Sequence, residues 1–123
     1  MDKKIANPGP LGLLGFGMTT ILLNLANIGL VDLNIVVIAM GIALGGLAQV
    51  IAGIFEFKRD NLFGATAFTA YGFFWLSFVI IKVGLGKILP ADLISMGFYL
   101  LLWGIFTFFM AIGNWYKNSQ YNY

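Results

Sequence analysis

The residues able to do polar chemistry are few, and they are set at helical spacing inside long apolar runs. Asn7 opens the stretch "NPGPLGLLGFGMTTILLNLANIGL" (residues 7–30), and Phe16, Thr20, Asn24 and Asn27 follow at i, i+4, i+8 and i+11. On a helix of 3.6 residues per turn those four fall within about 80° of one another. They form one semi-polar stripe: a ring, a hydroxyl and two amides. Further along, Gln49, Gly53 and Glu56 share a face that Gly45 and Gly41 continue. Thr66, Thr69, Phe73 and Ser77 make another stripe, with Tyr71, Gly64 and Phe68 to one side. The last apolar run offers only Thr107 and the ring edges of Tyr99 and Trp103. Apart from Glu56, these groups donate or accept hydrogen bonds without ionising near neutral pH. The chemistry they suit is replacing water around a small polar solute.

Bond-making chemistry has no such support. The sequence contains no cysteine and no histidine, which removes disulfides, thiolate ligands, cysteine nucleophiles and imidazole bases. No pair of acids falls where a reaction could be assembled, so an enzyme, a metal site or a bound cofactor is not expected. Each polar residue also has a bland reading. Membrane-embedded Asn and Gln often serve as interhelical glue, worth about 0.6 kcal/mol each. Thr and Ser can bond their own helix backbone. For Gln49 glue is favoured over pathway lining. For Asn24 with Asn27 the order is reversed, because two amides on one stripe exceed what packing needs. Glu56, near Lys58 and Arg59, reads as an interfacial charge cluster rather than a proton relay. Gly41, Gly45 and Gly53 read as close-packing contacts rather than hinges, and as a stripe through which copies of the chain associate.

The elements that must position these residues follow from composition. The 123-residue chain is 60% hydrophobic and 10% charged, with a mean hydropathy of +0.92; a soluble domain carries about 25% charged residues. Its solvent is therefore lipid, and the bilayer is its first partner. Apolar runs at 11–31, 33–55, 62–81 and 93–113 each reach the ~20 residues needed to cross a hydrocarbon core. Unpaired backbone finds no partner in lipid, so runs of this length and non-alternating pattern must be helices. The expected fold is all-α: a single polytopic membrane domain over 1–123 with four transmembrane helices, short antiparallel connections and a polar tail at 114–123. Asparagines deep in the first run and the lack of a small-residue cleavage site argue against a removable signal peptide. Seven basic against five acidic residues give no clustered basic face for nucleic acid. With the N-terminus in the cytoplasm, Lys3, Lys4, Lys58, Arg59 and Lys117 lie inside and only Lys82 and Lys87 outside. That is the sense of the positive-inside rule, and it puts both termini on the cytoplasmic side of the cell membrane.

The proline-rich entrance has two open readings. Pro8 and Pro10 cost little before or at a helix start, and Asn7 or Gly9 can cap it. Free N–H groups at that end could receive a small anion, with Gly12, Gly15 and Gly17 allowing close approach. Alternatively, proline ends the cytoplasmic arm and glycine eases helix packing.

"NPGPLGLLGFGMTTILLNLAN" resembles the N-terminal signature of the acetate uptake transporter (succinate-acetate permease) family, in which N-P-x-P-L-G-L opens the first membrane helix. The resemblance continues through "GGLAQVIAGIFEFKRDNLFGATAFTAYGFFWLS" and "YLLLWGIFTFFMAIG". It implies a six-helix channel or permease for acetate and related short monocarboxylates, possible passage of succinate, and a hexamer with a pore through each protomer. It also implies a hydrophobic constriction midway, matched here by Phe16 and Tyr71. The stripes and the helix entrance supply the expected substrate path past it: Asn7, Thr20, Asn24, Asn27, Gln49, Thr66 and Thr69. Two departures stand out. Ala26 takes a position where many relatives carry histidine. After four spans the tail "NWYKNSQYNY" does not match the next family segment, so the leucine completing the constriction is not found. The leading expectation is passive or proton-coupled passage of acetate-like anions. The alternative is a shortened, non-conducting member or assembly partner. A small multidrug exporter ranks below both, because its intramembrane glutamate has no counterpart except Glu56 at a membrane edge.

Overall fold

A computed structural model describes residues 4–83 and 88–121, with side chains as far as Tyr116. Lys3 and Lys87, counted in the charge balance above, lie outside the described residues, as does the Lys117 side chain. Among the described residues every regular element is helical, and four helices are long and apolar enough to cross a membrane. The chain divides into two compact units, Met1–Gly84 and Leu85–Tyr123.

In the first unit the first helix runs Gly9–Asn27, with proline in its opening turn. The Asn7 side-chain carbonyl accepts from the Gly9 N–H at 2.9 Å, and Pro8 O accepts from the Gly12 N–H at 3.1 Å. The apolar run continues to Val31, yet the helix ends at Asn27. Gly29 takes φ 85°, Leu30 N–H donates back to Leu25 O at 3.0 Å and Gly29 N–H to Ala26 O at 3.1 Å. This is the Schellman pattern, which satisfies the last carbonyls through a left-handed residue that glycine adopts at no steric cost.

Asn34 caps the next helix by accepting from the Val36 N–H at 2.9 Å. The second span is then continuous over Ile35–Lys58, with α-helix at Ile35–Met40 and Gln49–Lys58 and a π-helical segment at Gly41–Ala48 between them. Glycines occupy the crowded side of the wider segment. A Cβ at Gly45 would lie 2.7 Å from Trp75 Cγ and 2.9 Å from Thr19 Cγ2, and one at Gly46 would overlap the Leu76 side chain. The stripe of Gly41, Gly45 and Gly53 is therefore buried inside the chain, against Val79, Trp75 and Thr69. It is not available to a second copy, which corrects the reading of it as an association surface. Its close-packing role holds, within one chain.

The turn "EFKRDN" repeats the Schellman pattern with Asp60 as its left-handed residue, φ 58°. Asn61 N–H donates to Glu56 O at 3.0 Å and Asp60 N–H to Phe57 O at 3.2 Å. Aspartate is one of the few residues besides glycine that visits this region. Asn61 then caps the third helix, Leu62–Val83, by accepting from the Gly64 N–H at 3.2 Å. The third helix packs on both the π segment and the following α-helix of the second span. Trp75, Phe78, Ala52 and Ala65 form the apolar core, and Thr19, Gln49 and Glu56 are buried with them.

The second unit carries one helix, Leu93–Tyr121. Asp92 caps it, accepting from the Ser95 N–H at 2.7 Å and the Ser95 hydroxyl at 3.0 Å. Those two Ser95 bonds hold the Asp92 carboxyl below its ordinary value, the backbone one contributing most.

Candidate functional site

The first three helices and their junctions line an open cavity of about 490 Å³, within the range of small-ligand clefts. One end of it is polar and belongs to the helix junctions. Arg59 Nη1 donates to Glu56 Oε1 at 2.8 Å and to Asn7 Oδ1 at 2.7 Å. Asn61 Nδ2 donates to Glu56 Oε2 at 2.7 Å. Glu56 is 3% exposed, and both of its oxygens are bonded, so the burial of its charge is compensated. This clasp ties the residue before the first helix to the second-to-third turn.

Phe16 and Tyr71 lie seven residues beyond Gly9 and nine beyond Leu62 on their helices, which at 1.5 Å per residue places them roughly 10–13 Å further along the helix axes. Their ring centroids are 5.6 Å apart with the planes at 59°. Both line the cavity, with Leu13 and Phe68 on the approach. Gln49 lines it as well; it is 1% exposed and its Oε1 has no hydrogen-bond partner. Gly15 makes room for it, since a Cβ there would overlap Leu44 O and press on Gln49 Cγ at 3.3 Å. A buried amide oxygen without a partner costs about 1–3 kcal/mol. Such a group has the capacity to accept one more hydrogen bond.

The cavity thus gathers four of the residues singled out by spacing and resemblance, Asn7, Phe16, Gln49 and Tyr71. Thr20, Asn24, Asn27, Thr66 and Thr69 are not among its walls. Asn24 Nδ2 donates to its own helix at Thr20 O, 2.9 Å away, and Asn27 Nδ2 to Asn24 Oδ1 at 3.3 Å; both are exposed near the other end of the helix. Thr20 Oγ1 and Thr69 Oγ1 are buried without partners, Thr69 facing Gly53, and Thr66 is half-buried on the third helix. The helix N-terminus has few donors left for an anion: Pro10 has none, and the Gly9 and Gly12 N–H groups are already bonded. The positive charge at this end is the Arg59 guanidinium instead.

The charge cluster expected of Glu56 with Lys58 and Arg59 is present as the Arg59–Glu56 ion pair, but spacing alone points neither to Asn61 nor to the burial of Glu56. The available signal was the i, i+3 spacing of Glu56 and Arg59 with a capping Asn two residues on. Charged residues at a predicted water boundary read equally well as solvated.

Helices long and apolar enough to cross a membrane, around a hollow that is polar at one end and has an aromatic pair among its walls, define a helical membrane protein. The chain belongs to the GPR1/FUN34/yaaH family, whose model matches residues 1–119. It is 55% identical over 116 residues to the succinate-acetate/proton symporter SatP of Escherichia coli (strain K12), an alignment covering 91% of this chain and 61% of that protein. It is 39% identical over 121 residues to acetate permease A of Emericella nidulans, covering 88% of this chain and 41% of the permease. Its fold matches the solved structure of the bacterial acetate channel SatP with a TM-score of 0.83 at 54% identity, over 89% of this chain and 62% of the channel. The chain therefore spans about three fifths of the length of its bacterial relatives.

Proposed function

We propose that this chain carries the entrance and the constriction of a membrane pathway for acetate and related short monocarboxylates. The observation that carries the reading is the Phe16–Tyr71 ring pair in the wall of a hollow that Arg59 also lines, in a chain whose relatives are named for acetate transport. A carboxylate meets a cation first and an apolar narrowing second. An apolar constriction dewets and selects by size without binding tightly. Gln49 with its unpartnered carbonyl, and Thr20 and Thr69 with their unpartnered hydroxyls, supply hydrogen-bonding groups along the first three helices for water or a protonated acid. Asn24, Asn27 and Thr66 are proposed to line the path beyond the cavity. The N-terminus faces the cytoplasm of a plasma-membrane protein, and the working assembly is a homo-oligomer, a hexamer by family resemblance. The test is acetate flux into liposomes holding the purified chain, with Phe16→Ala beside it. Phe16→Ala is expected to admit bulkier acids such as succinate while acetate still passes. Identical acid selectivity in both, with flux clearly above background, refutes the gate; absence of flux from both refutes conduction by this chain.

A further inference from the structure

Arg59 is shared by two hollows. One is the 490 Å³ cavity leading to the aromatic pair. The other is a separate surface hollow of about 280 Å³ lined by Lys4, Ile5, Lys58 and Arg59. Among the described residues the second has no acidic wall. The Glu56 carboxylate is spent on Arg59 and Asn61, and Asp60 lines a different hollow with Phe57 and Leu62. Among the described residues the only ion pair is Arg59 with Glu56. Lys4 and Lys58 therefore have no carboxylate partner there, and the Lys58 ammonium rests only over the Phe55 ring, 5.2 Å from its centroid. Arg59 uses Nη1 for both of its bonds, which leaves the other N–H groups of its guanidinium fork for an anion.

We infer that the Lys4–Lys58–Arg59 hollow is an anion-binding antechamber: a small monocarboxylate collects there and is passed along the Arg59 guanidinium into the aromatic-lined cavity. The inference rests on the transport reading for its role in flux, but not for the binding itself. Two lysine ammoniums without carboxylate partners, beside the N–H groups that Arg59 does not spend on Glu56, raise the local concentration of a monovalent anion and steer its encounter, and the effect weakens with salt. With each ammonium roughly 7 Å from the bound carboxylate in a water-like dielectric, removing Lys4 and Lys58 together weakens binding about threefold to sevenfold at low salt.

The experiment uses the full chain, wild type against Lys4→Gln/Lys58→Gln, with Lys82→Gln as a control that removes a positive charge from the far end of the third helix. Binding is read as line broadening of ¹³C-labelled acetate by the chain in zwitterionic vesicles, and acetate influx is followed in the same vesicles over a range of acetate and salt concentrations. The expected result is severalfold weaker broadening and a severalfold higher KM for the double variant, a flattened salt dependence, and wild-type values for Lys82→Gln. A wild-type chain that conducts, with broadening and KM unmoved by the double variant, overturns the antechamber and leaves the transport reading standing. Broadening that needs Lys4 and Lys58 in a chain without flux supports the antechamber and overturns the transport reading. No broadening by the wild type overturns the antechamber. In a second set of vesicles containing anionic phospholipid, loss of wild-type broadening assigns the hollow to lipid phosphate and overturns it as an acetate site.

Discussion

The contact between Gly53 and Thr69 sets the spacing of the second and third helices, and adding one methyl group there tests it. A Cβ at Gly53 would overlap Thr69 Oγ1 and lie 2.7 Å from Thr69 N and 3.0 Å from its Cα. The hydroxyl can rotate, but the backbone cannot. Restoring about 3.6 Å to the nitrogen requires the helices to part by roughly 0.9 Å, a gap that forfeits a quarter to a half of the dispersion energy of facing atoms. Overpacking of this kind costs about 1–3 kcal/mol, and backbone obstacles place it at the upper end. Alanine's better helix propensity returns about 1 kcal/mol, so Gly53→Ala is expected to lose about 2 kcal/mol. Gly17→Ala is the matched control: nothing lies within 4 Å of the new methyl, and only the propensity gain remains. Thermal unfolding of the two variants in detergent, with sizing on the same samples, reads the difference. Gly53→Ala should melt several degrees below wild type and Gly17→Ala at or above it, with the oligomeric state of folded material the same in all three. A Gly53→Ala chain as stable as wild type but altered in assembly refutes the internal packing role and restores the glycine stripe as an association surface.

Glu56→Gln should destabilise the first unit by about 1–3 kcal/mol, because the amide can accept from Arg59 or from Asn61 but its NH₂ must face the other donor; equal melting temperatures for Glu56→Gln and wild type would show that the clasp contributes nothing. The Asp92 carboxyl is depressed below its ordinary value of 3.8, so its stabilisation of the last helix is complete above that value and is lost as pH falls through the lower folded one. The protection of the Ser95 amide, its exchange rate relative to that of the unstructured peptide at the same pH, should fall only in that acidic window, and Asp92→Asn should remove the pH step; a step that persists in the variant assigns it to another group. For orientation, a cysteine replacing Asn61 should resist membrane-impermeant labelling in intact cells, and ready labelling from outside would reverse the proposed topology.

The polypeptide's composition alone dictated a lipid solvent, four helical spans and the absence of thiol and imidazole chemistry, because a bilayer leaves long apolar runs no other way to pair their backbone. Asn34, Asn61 and Asp92 are capping residues beside apolar runs; the sequence offers Asn7 or Gly9 as the first cap, but the cap position falls on Pro8, and Asn7 accepts from Gly9 one residue earlier. Helix ends were less legible. Val31 is as apolar as Leu25, and Gly29 ends the helix through a backbone conformation that hydropathy does not encode. Helical spacing put Phe16 on one face of its helix and Gln49 on one face of another, and resemblance paired Phe16 with Tyr71. Spacing within a helix cannot say which faces meet across helices. Only the tertiary structure decided that Gly41, Gly45 and Gly53 point inward at Val79, Trp75 and Thr69, that Asn24 and Asn27 spend their amides locally, and that Glu56 is buried in a clasp reaching 52 residues back from Arg59 to Asn7. Those are long-range pairings between short polar groups, and a one-dimensional pattern of apolar and polar residues carries no information about their partners.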